Sequence, residues 1–184
     1  MNSELHIILG PMFSGKSTYL LKTLSSLQNN CNSDSILLIN HAIDNRYDNE
    51  SNICTHDGVK MRSKSLSKLE DIYNIPSITL NNIMHVLIDE AQFFNDLYEV
   101  VKQLLFKYNF KIYIGGLDGD YKQVPFNNSK ILDLIPYATS IIKLHAKCAV
   151  CNDKAPFTKR IIESNQKILV GGANDYKPVC IKHL

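Results

Sequence analysis

A chain of 184 residues, 45% of them apolar, is long enough for one folded domain and a small appendage, and too short for a second large module. Its 20 basic and 18 acidic residues leave a net charge of +2 with no dense Lys/Arg block, so nucleic acid is not the expected partner. The start lacks the basic region and long apolar stretch of a signal peptide, and no apolar run reaches membrane-spanning length, so a cytoplasmic protein without a membrane partner is expected.

Leu5-His6-Ile7-Ile8-Leu9 is an apolar run short enough for a buried strand, and it leads into Gly10-Pro11-Met12-Phe13-Ser14-Gly15-Lys16-Ser17-Thr18. That stretch fills the phosphate-loop pattern of Gly, four residues, Gly-Lys-Ser/Thr, in the strand-to-helix context the pattern needs. Glycines let backbone N–H groups turn inward on a polyphosphate, and the helix that follows points its positive end at the same anion. Lys16 reaches the outer phosphates, and the Ser17 hydroxyl is offered to Mg²⁺. Tyr19, Leu20, Leu21, Leu24 and Leu27 predict a helix from about Lys16 to Asn29 with its apolar face on a sheet. Ile36-Leu37-Leu38-Ile39 is a second buried strand. A β-α-β start with unbroken apolar strands predicts an α/β fold on a parallel sheet covered on both faces.

Asp44-Asn45-Arg46 follows that strand at its carboxyl end, where ligands bind in such sheets; the acid and the guanidinium read equally as metal- and phosphate-directed groups or as a solvated surface pair. Within residues 61–82, Leu66, Leu69, Ile72 and Ile75 predict a helix closed by Pro76, without legible chemistry. His85-Val86-Leu87-Ile88-Asp89-Glu90 is an apolar strand ending in two carboxylates, the form of the partner motif in phosphate-loop enzymes. There Asp89 holds Mg²⁺ through water and Glu90 can take a proton. Asn95 or Asp96 is expected to cap a helix carrying Leu97, Val100, Val101, Leu104 and Leu105. Lys111–Gly116 and Ser140–Leu144 bring the core strands to about five, with a short helix around Ile131–Ile135 between them.

The five cysteines, odd in number and unevenly spaced, suit reduced thiols or a metal better than a disulfide framework. Cys148 and Cys151 form one tight pair, and Cys180 with His183 a second of the same spacing, about thirty residues on, which is the arrangement of a structural zinc site. The expected division is a phosphate-loop nucleotide-binding domain over residues 1–145 and a zinc-binding lobe over 146–184.

Taken together, these motifs resemble the type II, human- and poxvirus-like, thymidine kinases. The resemblance runs over nearly the whole chain: the phosphate loop, Asp44-Asn45-Arg46-Tyr47 with Thr55-His56-Asp57, Asp89-Glu90-Ala91-Gln92-Phe93-Phe94, Leu117-Asp118-Gly119, Pro125-Phe126, Thr158-Lys159-Arg160, Gly171-Gly172-Ala173 with Tyr176, and the metal pairs. It implies transfer of the ATP γ-phosphoryl group to the 5′-hydroxyl of thymidine, and of deoxyuridine beside it, giving dTMP for DNA synthesis. It further implies a homotetramer, feedback by dTTP, and a loop of the zinc lobe that closes over the nucleoside. Glu90 would be the general base, with Asp89 and Ser17 on Mg²⁺. Gly10 to Ser17, Asp44, Asn45, Arg46 and Asp89 to Gln92, Ala91 included, would line the ATP site. The thymine base would be held mainly by the main chain of Lys167, Ile168, Leu169, Val170 and Gly171, between walls formed by Met12, Phe93, Leu117, Tyr121, Thr158 and Tyr176.

This sequence departs from that family's pattern at His183, where many members carry Cys, and at Asp120 and Lys122-Gln123. Neutral imidazole satisfies tetrahedral zinc as well as thiolate does. Two other readings are disfavoured. A nucleoside monophosphate kinase needs an Arg-rich lid, and only Arg46, Arg62 and Arg160 are present; a zinc-ribbon nucleic-acid module needs a basic, aromatic-interleaved face.

Overall fold

A computed structural model of the chain describes residues 3–43, 52–54, 60–75, 83–163 and 169–184. Six parallel strands form the central sheet: β1 (Glu4–Leu9), β2 (Ile36–His41), β5 (Lys64–Leu66), β6 (His85–Asp89), β7 (Lys111–Gly116) and β8 (Ser140–Lys143), in the spatial order β5-β2-β6-β7-β1-β8. Strands β3 (Asn52–Cys54) and β4 (Lys60–Arg62) pair as a separate ribbon. Alternation divides each inner strand between two layers. Leu5, Ile7 and Leu9 join Val86, Ile88, Ile112 and Ile114 beneath α2 (Leu97–Lys107), while Ile8, Leu38 and Leu87 meet Leu20, Leu21 and Leu24 of α1 (Lys16–Asn30) on the other face.

Several expectations need correction. Residues 61–75 are not an α-helix: β4 and β5 occupy the first part and a 3₁₀ helix the second, Leu69–Asn74. Leu66, Leu69, Ile72 and Ile75 recur every three residues, which is the 3₁₀ period and not 3.6, and Leu69 and Ile72 accordingly face the core. Asp96 does not cap α2 with its side chain; its carboxylate accepts from the N–H groups of Leu69 (3.1 Å) and Glu70 (2.8 Å), fixing the start of the 3₁₀ helix. The β8 strand is an edge, with Ile141 turned outward, and Tyr19 lies toward solvent on α1.

Beyond residue 145 the strands are short and antiparallel: β9 (Ala146–Lys147) with β10 (Lys154–Ala155), and β11 (Phe157–Arg160) with β12 (Tyr176–Val179). They enclose a small separate core of Ala146, Cys148, Ala155, Val179 and Cys180, against which Phe157 and, from the phosphate loop, Phe13 pack.

Candidate active site

The carboxyl ends of β1, β6 and β7 meet at one edge of the sheet, and each releases part of the site there. After β1 the chain turns sharply at Gly10, where a Cβ would lie 2.6 Å from the Leu144 carbonyl oxygen, and enters α1 through Gly15 at φ +86. Only glycine takes both positions without strain. The intervening Phe13 is itself left-handed, φ 66. Lys16 is buried and donates from Nζ to the Pro11 carbonyl at 2.8 Å, so its cation arches back over its own loop.

The two sequence motifs converge at Asp89. This carboxylate is buried at the end of β6, hydrogen-bonds the Ser17 hydroxyl, accepts from the Glu90 N–H at 3.0 Å and feels the charge of Lys16. Burial and then the neighbouring Glu90 carboxylate nevertheless push it up to about 7. A buried carboxylate crowded by a second, half-buried one favours a cation, and hard oxygen donors of this kind suit Mg²⁺.

Glu90 itself sits at φ 49, a left-handed backbone that turns its side chain off the strand into the adjoining cavity. That cavity is lined by Met12, Glu90, Phe93, Leu117, Tyr121, Thr158, Leu169, Val170, Gly171 and Tyr176, so every described candidate for the nucleoside walls faces one space. Lys167, Ile168, Asp44, Asn45, Arg46 and the Thr55-His56-Asp57 segment lie outside the described residues. Ala91, expected along the ATP site, is wholly buried in the core beneath the loop. Gln92 is likewise buried, its amide engaged by Glu90 and by the N–H of Leu117.

The cavity also contains Gly119, Asp120, Phe126 and Arg160, which the sequence motifs include without assigning them to the nucleoside walls. The Arg160 guanidinium lies 3.8 Å from the Tyr121 ring centroid and donates to the Tyr176 hydroxyl at 2.9 Å, which in turn donates to the Leu169 carbonyl at 2.8 Å. Three separate segments of wall are thereby tied together. Two-residue alternation along β11 puts Arg160 on the same face as Thr158, a signal that would have found it. Phe126 meets Phe93 edge-on at 6.3 Å; it lies in an irregular loop, where no periodicity reports it.

Across the phosphate loop lie Cys148, Cys151, Cys180 and His183, their ligand atoms all within 4.8 Å of one another. Cys151 and Cys180 sulfurs are 3.7 Å apart, and His183 Nδ1 lies 3.6 Å from the Cys148 sulfur and 3.2 Å from that of Cys180. The edge of a tetrahedron with zinc–sulfur bonds of 2.3 Å is about 3.8 Å, so the donor set fits Zn²⁺ in size as well as in kind. Burial would raise the Cys148 thiol, but backbone N–H groups of Cys151, Cys180 and Val150 outweigh it and bring it down to about 6. The backbone at Asp153 pulls Cys151 down, yet burial and hydrogen bonds to Cys180 and Cys148 push it up to about 11. One thiolate is favoured and the next suppressed, the behaviour of a ligand shell that a dication would complete.

The thymidine kinase family model matches residues 3–184. A rice protein named thymidine kinase is 38% identical over 181 residues, covering 98% of this chain and 65% of the relative. The human cytosolic thymidine kinase is 34% identical over 177 residues, 96% of this chain and 71% of the human one. The thymidine kinase of vaccinia virus, strain Western Reserve, is 35% identical over 179 residues, 97% of this chain and 95% of the viral one.

Proposed function

The chain belongs to the thymidine kinase family, and from that premise we propose that it transfers the γ-phosphoryl group of ATP to the 5′-hydroxyl of thymidine. The observation that carries this reading is the position of Glu90. Its carboxylate lines the apolar cavity, while the adjacent Asp89 reaches the Ser17 hydroxyl of the phosphate loop, so donor and acceptor sites share a wall one residue thick.

In the proposed reaction Glu90 takes the 5′-hydroxyl proton as the O5′–P bond forms and the bond from the γ-phosphorus to the β,γ-bridging oxygen breaks, releasing ADP and dTMP. Lys16 and the N–H groups of the phosphate loop balance charge on the transferring oxygens. Bound at Asp89 and Ser17, Mg²⁺ supplies further neutralisation of the phosphates. Asp44 to Arg46 are assigned to the same donor site. Phe93, Leu117, Tyr121 and Tyr176 hold the base by area and ring contact, with the main chain of 167–171 on its polar edge. A structural Zn²⁺ at Cys148, Cys151, Cys180 and His183 supplies rigidity to the segment between the two pairs, within a lobe proposed to span 146–184. A cytoplasmic homotetramer, acceptance of deoxyuridine and inhibition by dTTP complete the reading by likeness to the family; among the described residues no helix is long and apolar enough to cross a membrane.

The test is ATP consumption with thymidine, with thymidine monophosphate and with single-stranded DNA. Turnover is expected with thymidine alone, with dTMP as product; stimulation by the monophosphate or by DNA and not by thymidine would overturn the assignment.

A further inference from the structure

Gln92 is 2% exposed, and both ends of its amide are engaged. The Leu117 N–H approaches Gln92 Oε1 at 2.9 Å, and Gln92 Nε2 approaches Glu90 Oε2 at 2.6 Å. The orientation of the amide follows from the first contact: a backbone N–H only donates, so the oxygen must face Leu117 and the NH₂ must face Glu90. The NH₂ group in turn needs an acceptor, which the Glu90 carboxylate supplies. Gly116 makes room for this arrangement, since a Cβ there would stand 3.0 Å from Gln92 Oε1.

We infer that Gln92 is the positioning residue for Glu90: it holds the carboxylate aimed into the cavity, and couples that aim to the Leu117 wall of the nucleoside site. This rests on the reading of Glu90 as the base. The hydrogen bond donated to the Glu90 carboxylate fixes a side chain carried on a left-handed residue. Because Leu117 lines the cavity, a nucleoside seated against it bears on the same amide that orients the base.

Three variants test this by the split between kcat and KM. Gln92→Met keeps the volume and removes both hydrogen bonds; kcat should fall about 10- to 100-fold with KM for ATP unchanged. Gln92→Glu keeps an acceptor for Leu117 but sets a second carboxylate against Glu90 where the NH₂ stood, and should lose at least as much kcat, again with KM for ATP unchanged. Glu90→Gln should be nearly inactive. If both Gln92 variants, folded by circular dichroism, keep the parental kcat while Glu90→Gln is inactive, Gln92 positions nothing. An active Glu90→Gln enzyme instead removes the base assignment, and the inference with it.

Discussion

The sheet edge and the Cys/His lobe keep their shape by different means. At the sheet edge the polar residues stand on a large core: Asp89 and Gln92 are buried above Ile88, Ala91, Phe94 and Ile114, and apolar packing fixes them before any ligand arrives. Among the described residues the lobe's core is a cluster of five buried side chains, two of them cysteines of the set that could hold a metal, and its strands are two to four residues long. So small a core does not hold itself together, and bonds to a metal at the Cys/His cluster would take over the work of packing. On the proposed function, chemistry that needs fixed geometry sits on the first region, and the part that would admit and enclose a nucleoside hangs on the second.

The sharpest break of that contrast is at the sheet edge. Glu90→Gln should lower kcat by roughly 10²- to 10⁴-fold with thymidine binding little changed, and Lys16→Ala should lose activity while the thermal melt stays near the parent's. A mutant at Glu90 retaining more than about a tenth of parental kcat removes it from the chemistry. In the lobe, His183→Ala takes one of four ligands and should strip zinc, raising KM for thymidine about tenfold or more while KM for ATP holds, whereas His183→Cys behaves nearly as the parent. Zinc content beside steady-state kinetics decides; full zinc and unchanged thymidine KM in His183→Ala means the tetrahedron is misassigned.

A smaller effect concerns Asp89. Raised to about 7, it carries a proton below that pH, and the proton must leave before the oxygens can face a dication. Mg²⁺ affinity of the nucleotide-free protein should therefore rise between about pH 6 and about pH 8 and level off above. The same shift favours the folded state most below the unfolded pKa and loses that contribution as pH climbs through 7. Titration calorimetry at several pH values measures it, and a flat profile contradicts the shift. The smallest change tests the seam between the regions. Thr158 Oγ1 accepts from the Met12 N–H at 2.9 Å; Thr158→Val leaves that donor unmatched and should cost about 1–3 kcal/mol of stability by denaturant melt, while Thr158→Ser stays near the parent.

Much of the sheet was legible because its strands are short, unbroken apolar runs, and the phosphate loop because its glycines and Lys16 have one physical use. Lys64–Leu66 escaped notice as a strand because an edge of three residues, mostly polar, carries no alternation to detect, and it pairs with β2 by position alone. The 3₁₀ helix was misread because a spacing of three fits the α template nearly as well as its own. Ala91 and Gln92 sit inside a motif whose letters look functional throughout, yet the backbone turn at Glu90 sends those two inward. The ligand pairs were visible from spacing, but the choice of His183 Nδ1 as the facing nitrogen depends on the turn that Ile181–His183 makes.

Phe13 belongs to the loop proposed to hold phosphate, yet its ring packs against the core of the Cys/His lobe, with the neighbouring Met12 bonded to β11. Seating a triphosphate and seating a nucleoside therefore draw on one set of contacts, and linkage makes the exchange reciprocal. Whatever factor a nonhydrolysable ATP analogue imposes on the dissociation constant of thymidine, thymidine must impose the same factor on the analogue. Trimming Phe13 to Leu should bring that common factor toward one from both sides at once, turning two occupants that sense each other into two that do not.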